Sequence, residues 1–292
     1  MTIRESYLGL KIIHSTFRIS YSKLIIHYIF ARDKPMNLKI GEKTLKVTYG
    51  VPSLARLIKA NYEVIANNET IVTLKSPQGV VISCRTTKSL DFVQLQEIFL
   101  DNAYEYDVAG KNVIDIGMNI GDSAIYFAKK GAKRVIGLEP DKESFDLALK
   151  NIEDSKVADI VTPLNKAITV KNEDITLKVW DSFPGSNSLT KYETKPRNSK
   201  FHLITVNGIK LEDVIDMFNG EEVGLLKLDC EGCEYDIFNA LTKEYFSKIR
   251  AILMEFHNGV QNLLEILKEN GFTYDISNDS DLQGYIRARK GE

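Results

Sequence analysis

Within residues 8–31 the apolar positions Ile13, Phe17, Tyr21, Leu24 and Tyr28 recur at helical spacing among Lys11, Arg18 and Lys23, and Pro35 closes the stretch. One N-terminal helix within residues 1–35 is predicted, its stripe packed on the body of the protein or on a second copy in a homo-oligomer. The alternative is a basic amphipathic helix lying on a membrane surface. Over residues 36–88 the pattern shortens to β-branched runs at 38–40, 45–49, 62–66, 71–74 and 80–84. Gly41, Asn67, Asn68, Pro77 and Gly79 supply turns between them. A small antiparallel β subdomain is expected there.

Ser89 or Asp91 is positioned to cap a helix through Phe92, Leu95, Ile98 and Phe99 that opens a main domain over residues 89–292. Apolar strands at 113–116, 135–138, 160–164, 225–228 and 252–256 then alternate with helical stretches at 123–130, 143–152, 211–217, 235–241 and 261–270. That rhythm predicts a parallel α/β sheet. Residues 167–170 and 175–180 read as a hairpin, and 273–276 with 284–288 as a terminal antiparallel pair.

Composition narrows the partners. Lys+Arg number 38 against Asp+Glu 40, a net charge of -2, which argues against nucleic-acid binding by bulk charge. The three cysteines, Cys84, Cys230 and Cys233, are too few for a secreted disulfide framework, so a reducing, cytoplasmic setting is expected. The apolar run at 24–30 is far short of the roughly 20 residues that span a bilayer, and no signal peptide is read at the N-terminus.

The chemistry begins at Val113-Ile114-Asp115-Ile116-Gly117-Met118-Asn119-Ile120-Gly121-Asp122-Ser123, an apolar strand entering a glycine-containing turn and then a helix. Such a turn lets a ligand approach the backbone, and the helix start offers unpaired N–H groups. The next strand ends in Gly137-Leu138-Glu139-Pro140, with a carboxylate suited to both hydroxyls of a ribose. Together they indicate a nucleoside-type cofactor. A dinucleotide fingerprint would need glycines where Asn119 and Asp122 stand.

Asp115-Ile116-Gly117-Met118-Asn119-Ile120-Gly121 instead resembles the D-x-G-x-x-x-G motif of class I S-adenosylmethionine-dependent methyltransferases. Three further segments extend the likeness: Ala124-Ile125-Tyr126-Phe127-Ala128, Leu138-Glu139-Pro140, and Leu228-Asp229-Cys230-Glu231-Gly232-Cys233-Glu234-Tyr235. Over residues 90–290 the chain resembles the FkbM-type family of these enzymes. The resemblance implies an α/β, Rossmann-like class I fold with a seven-stranded sheet ending in an antiparallel hairpin. It also implies S-adenosyl-L-methionine as cofactor and a hydroxyl acceptor on a sugar, glycan precursor or secondary metabolite. By position, Asp115, Gly117, Met118, Asn119, Gly121 and Asp122 would meet the methionyl and ribose parts, Glu139 and Pro140 the ribose hydroxyls, and Asn165, Lys166 and Ala167 the adenine edge. A nucleotide-dependent oxidoreductase and a non-catalytic S-adenosylmethionine-binding protein of the same fold are the alternatives.

Asp229 should emerge at the end of a central strand beside the transferred methyl, with Glu231 and Glu234 close behind; Glu234 is expected to be solvated or to cap the next helix. Alternation puts Glu255 and His257 on one face of the following strand. His257 is the first candidate base, with Asp229 or Glu231 second. Asp229, Glu231, Glu255 and His257 also form a set of hard ligands for a divalent cation, although a metal-free site is the expectation. Cys230 and Cys233 spell C-x-x-C, but without a second pair they are expected to be small residues at a tight turn. Residues 181–200, with Pro184, Gly185, Lys191, Lys195, Arg197 and Lys200, read as a long loop over the cleft.

Overall fold

Short apolar runs separated by polar turns can bury themselves only by pairing, and the two parts of the chain do so differently. The computed structural model describes residues 3–31, 34–87, 89–180, 188–189, 200–278 and 280–291. Its contacts separate an N-terminal unit ending at Ala103 from a larger unit beginning at Tyr104.

In the N-terminal unit two helices, Ile3–Phe17 and Tyr21–Phe30, replace the single one expected. The break has a local cause: Arg18 adopts a left-handed φ of 54°, and Ser20 Oγ caps the second helix by accepting from Lys23 N at 3.4 Å. Phe17 and Tyr21 keep helical spacing across the break, so periodicity reads straight through it. The strands of the β subdomain form a ribbon, Met36–Ile40 with Lys43–Val47, and a three-stranded antiparallel sheet of Glu63–Asn67, Ile71–Lys75 and Val81–Arg85. Between ribbon and sheet Val51–Lys59 is a helix, begun by a proline in its first turn and burying Leu54, Ala55 and Leu57.

Helix Asp91–Phe99 belongs to this unit, so the division falls after residue 103 and not after 88. Asp91 does not cap that helix. It is fully buried, and its carboxylate accepts the Arg85 backbone N–H at 2.7 Å and the guanidinium at 2.8 and 3.0 Å. Among the described residues no helix is long and apolar enough to cross a membrane.

The larger unit is built on seven strands: β1 (Asn112–Ile116), β2 (Arg134–Leu138), β3 (Val161–Leu164), β4 (Val223–Leu228), β5 (Ala251–Phe256), β6 (Phe272–Asn278) and β7 (Gly284–Lys290). They pair in the order β6-β7-β5-β4-β1-β2-β3. Strands β1 to β5 run parallel, and β7 is antiparallel to both β5 and β6. This is the α/β class I arrangement the motifs implied. Every residue of β1 and β4 is buried, as continuous apolar runs covered on both faces should be. Helices Asp122–Lys129, Lys142–Asp154, Leu211–Asp216, Glu234–Ala240 and Leu263–Glu269 match the expected stretches, and a short helix at Lys243–Ser247 was not foreseen.

The expected hairpin of 167–170 with 175–180 does not form. Ala167–Thr169 pairs in parallel with Gly208–Lys210, and Ile175–Trp180 pairs antiparallel with Phe201–Val206. Asn207 directs this outcome, its carbonyl accepting Ala167 N at 3.0 Å and its amide donating to Asp174 at 2.6 Å. Of the expected loop 181–200, only Ser188, Leu189 and Lys200 are among the described residues, and the rest lies outside them.

β1 and β4 are neighbours, but the sheet grows from β1 towards β2 and from β4 towards β5. Their carboxyl ends therefore flank the switch point where open α/β sheets bind ligands.

Candidate active site

After β1 the backbone turns through Gly117 (φ 79°), Asn119 (φ 45°) and Gly121 (φ 82°). Gly117 N and Met118 N both donate to Leu138 O at 3.0 Å, tying the turn to the end of β2. Glu139 completes the tie: Oε2 accepts from Asn119 N at 3.0 Å and Oε1 from Asp141 N at 2.9 Å. Asn165 Nδ2 donates to the carbonyls of Glu139 and Pro140 at 2.9 and 3.0 Å. On the other side Asp229 N donates to Ile116 O at 3.1 Å. A Cβ on Gly117 would lie 1.9 Å from the Asp229 carbonyl oxygen, so only glycine admits this approach.

Several residues expected at the cofactor are used otherwise. Asp115 is fully buried beneath the turn, where it pairs with Lys227 Nζ at 3.1 Å and accepts from Ser123 Oγ at 2.6 Å. It braces the turn from below. Met118 is buried too, over Gly137, where a Cβ would meet its sulfur at 2.5 Å. Its backbone belongs to the turn and its side chain to the core. Asp122 Oδ1 accepts from Ser123 N at 3.0 Å at the helix start.

Lys166 and Ala167, expected at the adenine edge, have other neighbours. Ala167 packs with Leu177 and Val206, and Lys166 lines a separate cavity of about 350 Å³ with Asn172, Asp174, Asn207 and Asp213. Their neighbour Asn165 is the residue that reaches Glu139.

Lys227 stands inside the apolar run 225–228. It is 2% exposed, and its Nζ donates to Gly117 O at 2.8 Å and Ile116 O at 3.2 Å. Burial works against its charge, but Asp115 and Asp229 hold its pKa above the ordinary lysine value. A lysine inside a central strand demands a buried anion, which was the overlooked signal. Tyr104, 5.4 Å from Nζ at its ring centroid, lies close to the same charges; burial and Asp229 push its phenol well above the usual range.

Where β4 and β5 end, an imidazole meets four carboxylates. His257 Nε2 lies 3.8 Å from Asp229 Oδ1 and 3.7 Å from both Glu231 Oε2 and Glu255 Oε1, while Nδ1 lies 3.2 Å from Glu234 Oε1. Glu255 and His257 do share a face. Glu234 is neither solvated nor a helix cap: it is fully buried and accepts from Gly232 N at 2.9 Å and His257 N at 3.2 Å. Tyr235 Oη steadies the segment after β5, donating to Gly259 O and accepting from Asn258 N, both at 2.8 Å.

Burial alone would lower the His257 pKa, but the Glu234 hydrogen bond and the charges of Glu231 and Asp229 raise it to about 10. That raised pKa disfavours the expected role as the base, because an imidazolium has no lone pair to accept a proton. Burial likewise raises Glu231 to about 7 against the pull of His257, and raises Glu255 to about 7 with help from Asp229. Cys230 and Cys233 form a disulfide that brackets Glu231, not merely a turn of small residues, while Cys84 is free and buried. The cysteine count therefore no longer argues for a reducing compartment.

Residues 115–274 match the family model described as the methyltransferase FkbM domain. Methyltransferase sdnD of Sordaria araneosa is 22% identical over 214 residues, a match spanning 63% of this chain and 82% of that protein. Methyltransferase 1 of Beauveria bassiana (strain ARSEF 2860) is 26% identical over 180 residues, spanning 55% of this chain and 71% of that one. A crystal structure of methyltransferase FkbM from Methylobacillus flagellatus KT is similar with a TM-score of 0.44 and 14% identity. That alignment covers 66% of this chain and 47% of the other, so the chain spans just under half of that protein.

Proposed function

The chain belongs to the FkbM methyltransferase family, and from that premise we propose that it transfers the methyl group of S-adenosylmethionine to a hydroxyl oxygen of a sugar, glycan precursor or secondary metabolite. The observation that carries the cofactor assignment is the stitching of the 117–121 turn to Glu139 at the switch point. A carboxylate offers about four acceptor sites, so being pinned by two N–H groups is compatible with ribose binding. Gly117, whose missing side chain lets the turn close against the Asp229 carbonyl and so sets the wall of the crevice, fits the same reading.

S-adenosylmethionine supplies a methyl group on a positively charged sulfur, already activated for displacement. The protein's part is chiefly positional. Gly117, Asn119 and Gly121 present backbone, Glu139 binds the ribose hydroxyls, and Lys227 with Asp115 keeps the floor of the turn rigid. Holding an acceptor oxygen in line is worth roughly 7–11 kcal/mol. The acceptor's proton passes to the Asp229 or Glu231 carboxylate, and His257 and Glu234 orient that rim.

Calorimetry with S-adenosylmethionine, S-adenosylhomocysteine and NAD tests the cofactor. Micromolar binding of the two sulfur nucleosides without NAD is expected, and NAD binding alone overturns the proposal. An acceptor screen with isotopically labelled methyl donor should yield methyl ethers. Label found only on nitrogen or carbon would refute the hydroxyl acceptor.

A further inference from the structure

The carboxylate–imidazole rim holds more ligand atoms than its hydrogen bonds use. His257 Nε2 belongs to a side chain only 5% exposed, and its hydrogen bonds run from Nδ1 and the backbone N–H, both to Glu234. From Nε2 the nearest carboxylate oxygens stand at 3.7–3.8 Å. That is too long for a hydrogen bond. An octahedral ion with bonds of about 2.1–2.3 Å holds neighbouring ligands roughly 3.0–3.3 Å apart, so these side chains would need to draw in by only about 0.5 Å to share one. One ligand atom each from Asp229, Glu255 and His257 lie within 4.8 Å of one another.

The surroundings point the same way. Glu234 engages the far imidazole nitrogen, the carboxylate contact that orients a metal-bound histidine, and a cation at the near nitrogen would displace its proton. Gln283 Nε2 donates to Glu255 Oε1 at 2.7 Å and fixes that carboxylate. Four carboxylates share one imidazole, and Lys227 sits 3.1 Å from Asp115 but 4.0 Å from Asp229. Among the described residues the rim carries more acidic groups than cations.

We propose that Asp229, Glu255 and His257 bind a divalent metal cation through one carboxylate oxygen each and through Nε2, with Glu231 as a further oxygen ligand. Carboxylate oxygens with a single imidazole suit Mn²⁺ or Mg²⁺ better than a thiolate-seeking ion. Four protein ligands leave two positions of an octahedral shell open for an acceptor hydroxyl, which the cation would orient and acidify. That role rests on the methyltransferase reading, whereas binding of the cation does not.

The test uses the full chain stripped with a chelator and titrated with Mn²⁺, free ion being read by electron paramagnetic resonance. Saturable uptake of one Mn²⁺ per chain is expected, reversed by excess Mg²⁺. Glu255→Gln and His257→Gln should each weaken uptake at least about tenfold, while Glu269→Gln on an exposed helix face leaves it unchanged. Circular dichroism melts verify that the variants are folded. No stoichiometric uptake by the parent chain overturns the proposal, as does undiminished uptake by both folded variants. S-adenosylhomocysteine calorimetry on the stripped protein reports the cofactor crevice separately, so the two readings fail independently.

Discussion

Replacing Gly117 with alanine tests the contact that joins the cofactor turn to β4. Two costs combine. An L-residue at φ 79° costs about 1–2 kcal/mol. In addition the new Cβ would stand 1.9 Å from the Asp229 carbonyl oxygen, whereas a carbon and a carbonyl oxygen settle no closer than about 3.3 Å. The two segments must therefore part by about 1.4 Å, straining the Asp229 N to Ile116 O bond and adding about 1–3 kcal/mol of overpacking.

Gly220 supplies the control, with φ 88° and nothing within 4 Å of an added Cβ. Gly220→Ala should lose only the conformational part, about 1–2 kcal/mol, and Gly117→Ala about 2–5 kcal/mol. Urea denaturation followed by circular dichroism reads the difference as a midpoint shift at constant slope. A unit of this size loses about 2–4 °C of melting temperature per kcal/mol. Gly117→Ala should also abolish S-adenosylhomocysteine binding, which Gly220→Ala should not. Equal destabilisation by both variants, with binding intact, would show that the contact is not rigid and refute the reasoning.

Glu139→Gln should weaken S-adenosylhomocysteine binding about 10- to 100-fold, the loss of charge-assisted hydrogen bonds worth roughly 1.5–3 kcal/mol; calorimetry with an unchanged affinity would remove Glu139 from the ribose site. Lys227→Met leaves Asp115 buried without its cation and should cost about 3–5 kcal/mol in thermal melts. Adding Asp115→Asn should restore part of that stability, and a double variant no more stable than the single one would contradict the pairing. Alkylation of protein prepared without reductant and then denatured should label one cysteine, Cys84, with all three labelled after reduction. Three labels before reduction would exclude the Cys230–Cys233 bond.

What could be read from the chain alone was whatever depends on neighbours in sequence. The runs at 113–116 and 225–228 announced strands buried on both faces, and the spacing of Asp115, Gly117, Gly121 and Glu139 announced a nucleoside crevice, because hydrophobic period and turn geometry are local properties. Tertiary structure alone decided the partners. Asp115 looked like a ligand contact until Lys227, which reaches across 111 residues of chain to the Ile116 carbonyl, was found beside it. Glu234 looked like a surface acid until β5 brought His257 to it, and strand 167–169 paired with 208–210 instead of its nearest successor. A buried charge must find an opposite charge or a donor wherever register between distant strands puts one, and that register is not written in any single segment.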